Sequence, residues 1–216
     1  MKPGASPAEI RQWITHHLDP LDTNIIGGME VHGDMNLNPT QAADEARVWT
    51  PAAVLVGLVE REHGFSVLLT RRSDTLRSHT GQVAFPGGRC DPGETPWETA
   101  LREAEEEIGL DPACVELAGL STPYRTAVTG YQIMPVVGFV SPNMMLKPNP
   151  HEVADIFETP FGFLMDPNNL EQQERETPAG ERRRFYAATW EGQYIWGATA
   201  GMLRALYDRL YGASLA

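Results

Sequence analysis

The 216-residue chain has few cysteines, few basic residues and no apolar run long enough to cross a membrane. Its two cysteines, Cys90 and Cys114, stand at no spacing typical of a metal site or a redox pair, and the N-terminal segment lacks the apolar core of a signal peptide. We therefore expect a reduced cytoplasmic protein without a membrane partner.

Positive charge is also scarce. The chain has 17 lysines and arginines against 29 acidic residues, which gives a formal net charge of −12. This balance argues against a nucleic-acid partner held by general electrostatics. It also means that an anionic substrate would need a local basic patch, a metal ion, or both.

The hydrophobic residues, 42% of the chain, are sufficient for a substantial core. Apolar runs of strand length occur at 52–60, 65–72, 131–140 and 153–161. Residues 198–212 have apolar side chains at helical spacing, and 20–50 are irregular. Strands with interspersed helices predict a mixed α+β fold. We expect the polar stretch around Arg182 to Arg184 to be mobile.

A helix is predicted over residues 96–108. Thr95 is a suitable N-cap, Pro96 suits the first helical position, and Glu98 completes a capping box. Gly109 suits the position after the last turn. The helix should therefore have about three and a half turns.

This predicted helix contains several glutamates close together. At about 100° per residue, Glu103, Glu106 and Glu107 fall on one face and Glu105 on the opposite one. Neither Glu103 nor Glu107 has a basic residue three or four positions away, so like charges should repel. An acidic solvated face would explain the pattern without function. Alternatively, clustered carboxylates are the ligands that Mg²⁺ or Mn²⁺ prefers, and such ions bind phosphate oxygens.

The segment that contains the cluster resembles the Nudix box, G-x5-E-x7-R-E-U-x-E-E-x-G-U, where U is aliphatic. The matching residues are Gly88, Glu94, Arg102, Glu103, Ala104, Glu106, Glu107, Gly109 and Leu110. The resemblance implies hydrolysis of a nucleoside diphosphate linked to another moiety. It also implies an α/β/α sandwich with a mixed sheet. We expect an N-terminal helix and an irregular extension at 1–47, followed by a Nudix hydrolase domain with a C-terminal helix at 48–216.

The same resemblance assigns roles to residues of the box. Glu103, Glu106 and Glu107 would ligate Mg²⁺ or Mn²⁺, with one of them a candidate to orient or deprotonate water. Gly88 would offer its carbonyl oxygen to the metal. Glu94 and Arg102 would form a structural ion pair between loop and helix.

The stretch just before the box, "LLTRRSDTLRSHTGQVAFPGG", is similar to the signature of coenzyme A pyrophosphatases. It contains Arg71, Arg72 and Arg77, the densest basic patch next to the box, and guanidinium groups suit phosphate. Arg182 to Arg184 form a rival patch. The resemblance implies cleavage of coenzyme A or a derivative to adenosine 3′,5′-bisphosphate and 4′-phosphopantetheine.

Several alternatives stay open at this point. Glu152 and Asp155 are candidates for an additional base, or are solvated or capping carboxylates. The substrate could instead be ADP-ribose, a dinucleotide or a damaged nucleotide, or the domain could bind a ligand without turnover. We expect a small-molecule substrate, and a homodimeric assembly is left open.

Overall fold

The computed structural model describes residues 5–38, 47–73, 81–177 and 180–212. The helices are α1 (Pro7–His16), α2 (Thr23–Ile26), α3 (Asp34–Leu37), α4 (Pro96–Ile108), α5 (Phe161–Leu164) and α6 (Ala198–Tyr211). The strands are β1 (His32–Gly33), β2 (Thr50–Arg61), β3 (Gly64–Arg72), β4 (Val83–Ala84), β5 (Gly87–Arg89), β6 (Val115–Leu120), β7 (Tyr124–Arg125), β8 (Tyr131–Val140), β9 (Val153–Pro160), β10 (Glu171–Glu176), β11 (Arg182–Trp190) and β12 (Gln193–Trp196).

Among the described residues, nine strands form one mixed sheet in which β2 is central. The main path runs β1-β7-β8-β2-β3-β4, while β5 pairs with β2, β6 with β8 and β9 with β3. The β2–β8 and β1–β7 pairs are parallel, and the other pairs of this sheet are antiparallel. The predicted mixed α+β fold is confirmed.

Both faces of the large sheet are covered, which explains why β2 is a near-continuous apolar run. Side chains of β2 alternate between two buried clusters: Val54 and Val56 belong to one, and Ala53 and Leu55 to the other. Helix α4 packs on the second face through Ala100, Ala104 and Ile108. The opposite face is covered by α1 and α6, so the layers are those of an α/β/α sandwich.

The C-terminal helix begins one residue after Gly197, and its predicted apolar stripe is buried. Met202, Leu203, Leu206 and Leu210 all belong to the core. Thr199, in its first turn, donates a hydrogen bond to the carbonyl of Val83 at 2.9 Å. This bond connects the start of α6 to the short strand β4.

A second sheet, of β10, β11 and β12, was not anticipated. Its register pairs Glu174 with Arg184 and Arg175 with Arg183, so residues 182–184 lie on a strand. The prediction of a mobile segment there was wrong, because β10 hydrogen-bonds to β11 and Glu174 neutralises Arg184 at 2.8 Å. Asn38 also holds the backbone of Arg184, with bonds of 2.9 and 3.0 Å.

Candidate active site

Helix α4 starts and ends where the local sequence predicts. The Thr95 hydroxyl accepts from the Glu98 N–H at 3.3 Å, and the Glu98 carboxylate accepts from the Thr95 N–H at 2.8 Å, which completes the capping box. Gly109 adopts φ 65°, a left-handed conformation that glycine reaches without steric penalty. These two ends determine which way each glutamate points.

The three box glutamates differ in exposure. The Glu107 side chain is 5% exposed and that of Glu103 is 16% exposed, whereas that of Glu106 is 57% exposed. Glu107 therefore points into the protein between α4 and the sheet. Glu106 lies at the rim of the cluster.

The expectation that Glu103 and Glu107 lack basic partners was wrong. Arg102 donates from Nη1 to Glu103 Oε1 at 2.8 Å, and Arg72 Nη1 lies 3.9 Å from Glu107 Oε1. A helical spacing rule misses both pairs. Arg102 is the immediate neighbour of Glu103, and Arg72 comes from the end of β3.

Arg102 and Glu94 form the ion pair that the sequence predicts. Arg102 donates from Nε and Nη2 to the two carboxylate oxygens of Glu94, at 2.7 and 3.0 Å. The guanidinium, together with a hydrogen bond from the Asp91 N–H, lowers the pKa of Glu94 to about 2. Arg102 also lies 3.4 Å from Glu106, so one cation links the loop to the acidic face.

Gly88 lies against the carboxylate of Glu103. A Cβ added at Gly88 would lie 2.5 Å from the Glu103 carboxyl carbon, so only glycine allows this approach. The adjacent Gly87 N–H donates to Glu107 Oε2 at 3.2 Å. The Pro-Gly-Gly turn thus brings backbone into contact with both inner carboxylates.

Burial and the charges of neighbouring carboxylates raise the pKa values of both inner carboxylates, Glu103 and Glu107. Burial raises the pKa of Glu107 to about 7, although Gly87 and Arg72 favour its charged form and the charges of Glu103 and Glu152 disfavour it. Burial also raises the pKa of Glu103, and Glu106 and Glu152 add to that effect. A bound cation would remove this repulsion.

Glu152 lies with the cluster, although it is 45 positions after Glu107 in the chain. The Asn149 N–H donates to the Glu107 carbonyl at 2.8 Å, which satisfies a carbonyl at the end of α4. The Asn149 side chain then donates to Glu152 Oε1 at 3.1 Å. The Ser73 N–H, beside Arg72, donates to the Glu152 carbonyl at 2.8 Å. The end of α4 and the end of β3 therefore both help to position Glu152.

Among the remaining predicted residues, Arg72 belongs to the site and Asp155 and Arg71 lie outside it. Asp155 is on β9, paired in register with Arg71 of β3. Arg77 lies outside the described residues. Arg72 lines a large cavity, whereas Arg71 is not part of the cavity lining that the structure describes.

This cavity has a volume of about 1280 Å³ and opens beside the carboxylates. Gly87 and Gly88 belong to its wall and also contact Glu107 and Glu103. Its charged lining comprises Arg72, Arg89, Arg175, Arg183, Arg184, Asp34 and Glu176. Its apolar lining includes Val54, Val83, Phe85, Ile133, Phe185, Trp196 and Met202. The sequence did not indicate Arg175, because β10 carries no motif, nor the apolar wall, because its residues come from segments far apart in the chain.

The carboxylates suit a hard divalent cation in kind, since they are oxygen donors in a partly desolvated place. Within the described ranges, no group of three or more His, Cys, Asp or Glu side chains is arranged so that it could hold a metal ion. The fit therefore rests on the kind of donor atoms present. The charge of Glu103 disfavours the charged form of Glu107, and both side chains adjoin the Gly87–Gly88 backbone.

A family model described as the NUDIX domain matches residues 48–188. The chain belongs to the Nudix family. The uncharacterized Nudix hydrolase NudL of Yersinia enterocolitica is 42% identical over 160 residues, which cover 74% of this chain and 80% of that protein. NudL of Escherichia coli is 40% identical over 156 residues, 72% of this chain and 80% of that protein.

The solved structures that resemble this chain share less sequence identity with it. RenU, a Nudix hydrolase of M. smegmatis, is 20% identical with a TM-score of 0.49, over 79% of this chain and 89% of that one. The MutT protein of Methanosarcina mazei is 18% identical with a TM-score of 0.45, over 79% and 99%. With its family established, the protein is a Nudix hydrolase that acts on pyrophosphate bonds. Within the described ranges, no helix has the length and apolar character needed to cross a bilayer.

Proposed function

We propose that this Nudix hydrolase cleaves the pyrophosphate of coenzyme A or a coenzyme A derivative. The products would be adenosine 3′,5′-bisphosphate and 4′-phosphopantetheine. The observation that carries the proposal is the cavity of about 1280 Å³ that adjoins the acidic cluster. It exceeds the roughly 300–1,000 Å³ of common ligand sites and therefore suits a long substrate.

The cavity lining matches the chemistry of such a substrate. Five arginines and two acidic residues line it, in a chain with a net charge of −12. Its apolar and aromatic lining suits an adenine ring and an aliphatic arm. Coenzyme A combines these features with a pyrophosphate and a 3′-phosphate. The similarity of residues 68–88 to the coenzyme A pyrophosphatase signature supports the same substrate.

Chemistry would take place where the cavity meets helix α4. Glu103, Glu106 and Glu107, with the carbonyl of Gly88, would hold Mg²⁺ or Mn²⁺. A bound ion supplies charge neutralisation for the pyrophosphate and lowers the pKa of water. Arg72 lies 3.9 Å from Glu107 and lines the cavity, so it would contact pyrophosphate oxygens.

We assign the role of base to Glu152. Its carboxylate is coupled to Glu103 and Glu107, and it is oriented by Asn149 at 3.1 Å. A base so placed would accept a proton as water attacks one phosphorus and the bond to the bridging oxygen breaks. Glu152→Gln should lower kcat more than it raises KM, because the base acts in the transition state.

Product analysis tests the proposal. Coenzyme A and ADP-ribose are incubated with the protein, with and without Mg²⁺, and the products are separated by chromatography. We expect metal-dependent release of adenosine 3′,5′-bisphosphate from coenzyme A at a higher kcat/KM than AMP from ADP-ribose. Preference for ADP-ribose would indicate a different Nudix substrate, and no turnover of either would overturn coenzyme A as the substrate.

A further inference from the structure

Two arginines face each other on the hairpin formed by β10 and β11. Arg175 and Arg183 are directly opposite in the antiparallel register, and both line the large cavity. Residues opposite each other on one face of a sheet are close neighbours, and like charges in that position are destabilising. An anion between or beside the two guanidinium groups would relieve the repulsion between their charges.

The neighbouring arginines of the hairpin are neutralised, but this pair is not. Arg184 and Arg182 lie 2.8 and 3.9 Å from Glu174. Among the described residues, neither Arg175 nor Arg183 forms an ion pair. The Nε of Arg183 is buried and has no hydrogen-bond partner in the described structure. A buried donor left unpaired is unfavourable, so this atom indicates a missing acceptor.

The acidic residues of the cavity do not supply that acceptor. Asp34 already accepts hydrogen bonds from the Tyr124 hydroxyl and the Ala127 N–H, each at 2.9 Å. Glu176 is exposed and is opposite Arg182 in the strand register, one position beyond Arg175. The cavity wall at β10–β11 therefore keeps excess positive charge.

We propose that Arg175 and Arg183 form a subsite for a phosphate monoester of the ligand, separate from the place where the pyrophosphate lies beside Arg72 and Gly88. Guanidinium groups bind phosphate through paired, charge-assisted hydrogen bonds. The inference rests on the proposed function, because a substrate with both a pyrophosphate and a phosphate monoester is what would require two anion sites in one cavity.

Binding of a product-like probe tests the subsite without turnover. Adenosine 3′,5′-bisphosphate and AMP, which lacks only the 3′-phosphate, are titrated calorimetrically in Mg²⁺ into wild type, Arg183→Ala, Arg175→Ala and Arg182→Ala. We expect Arg183→Ala to weaken bisphosphate binding at least tenfold and AMP binding much less. Arg182→Ala is the matched control, because its side chain is 82% exposed, and should change either affinity less than twofold.

Three results would overturn the subsite. One is a wild type that does not distinguish the two nucleotides. The second is equal weakening by Arg183→Ala and Arg182→Ala, which would indicate general electrostatics. The third is equal weakening of both nucleotides by Arg183→Ala, which would place the residue at the shared phosphate. Melting curves check folding: removing a repelling charge should leave Tm unchanged or higher, and Arg183→Gln serves as a second variant.

The subsite and the proposed function can fail independently of each other. If coenzyme A is not hydrolysed but Arg183→Ala selectively weakens the bisphosphate, the subsite stands and the proposed activity falls. If coenzyme A is hydrolysed and the bisphosphate affinity does not depend on Arg183 or Arg175, the activity stands and the subsite falls.

Discussion

Neutralising Glu107 should stabilise the metal-free protein at alkaline pH. The Glu107 side chain is 5% exposed, and burial raises its pKa from the ordinary 4.5 to about 7. Its charged form is therefore unfavourable in the folded state when no cation is bound. Glu107→Gln keeps the size of the side chain and an oxygen that can accept the Gly87 N–H, but it removes the charge.

The magnitude follows from the two pKa values. Between about pH 4.5 and pH 7 the folded state holds a proton on Glu107 that the unfolded state has lost, so the free energy of unfolding falls as pH rises. A difference of about 2.5 pH units, at about 1.36 kcal/mol each, gives about 3 kcal/mol. Glu107→Gln should therefore be about 3 kcal/mol more stable than wild type at pH 8, and equally stable below pH 4.

Urea denaturation in EDTA at pH 4 and pH 8 measures this difference, with the exposed Glu105→Gln on the opposite face of α4 as control. Mg²⁺ should then raise the Tm of wild type more than that of Glu107→Gln, while turnover of the variant falls at least tenfold. A variant that is less stable than wild type at pH 8, or that gains equally at both pH values, would refute the reasoning.

Three further predictions concern the residues around the cluster. Thr95→Ala should lower the free energy of unfolding by about 1 kcal/mol in urea denaturation, through the lost helix cap, with a smaller effect on turnover than any box carboxylate. Glu94→Gln should lower the free energy of unfolding by about 1.5–3 kcal/mol at pH 7, since Glu94 binds Arg102. This loss of stability relative to wild type should shrink as pH falls from 4.5 to 2, because wild-type Glu94 then becomes protonated. A loss that does not change with pH would contradict the ion pair. Gly88→Ala should cut turnover at least tenfold with little change in Tm, because the new methyl group displaces the Glu103 carboxylate; steady-state kinetics and melting curves together check this.

The acidic helix was predictable in detail because its determinants are local. Capping at Thr95, proline at the first position and glycine after the last turn act within a few residues, and they also determine which glutamates share a face. The resemblance to the Nudix box implied the Glu94–Arg102 pair, which joins the loop before α4 to the middle of the helix. The apolar runs likewise predicted the long strands, because burial on both faces of a sheet requires them.

Contacts between segments far apart in the chain determine the remaining features of the site. Nothing local brings Glu152 to Glu107: that requires the 147–149 segment to satisfy the carbonyl groups at the end of α4. Arg183 lies opposite Arg175 only because β11 pairs with β10 in one register, and a shift by one residue would give it another cross-strand partner. The sequence by itself thus determined the helix and which of its carboxylates share a face. The choice of Glu152 over Asp155 as the proposed base, and the shape and charge of the cavity, depend on contacts between segments far apart in the chain.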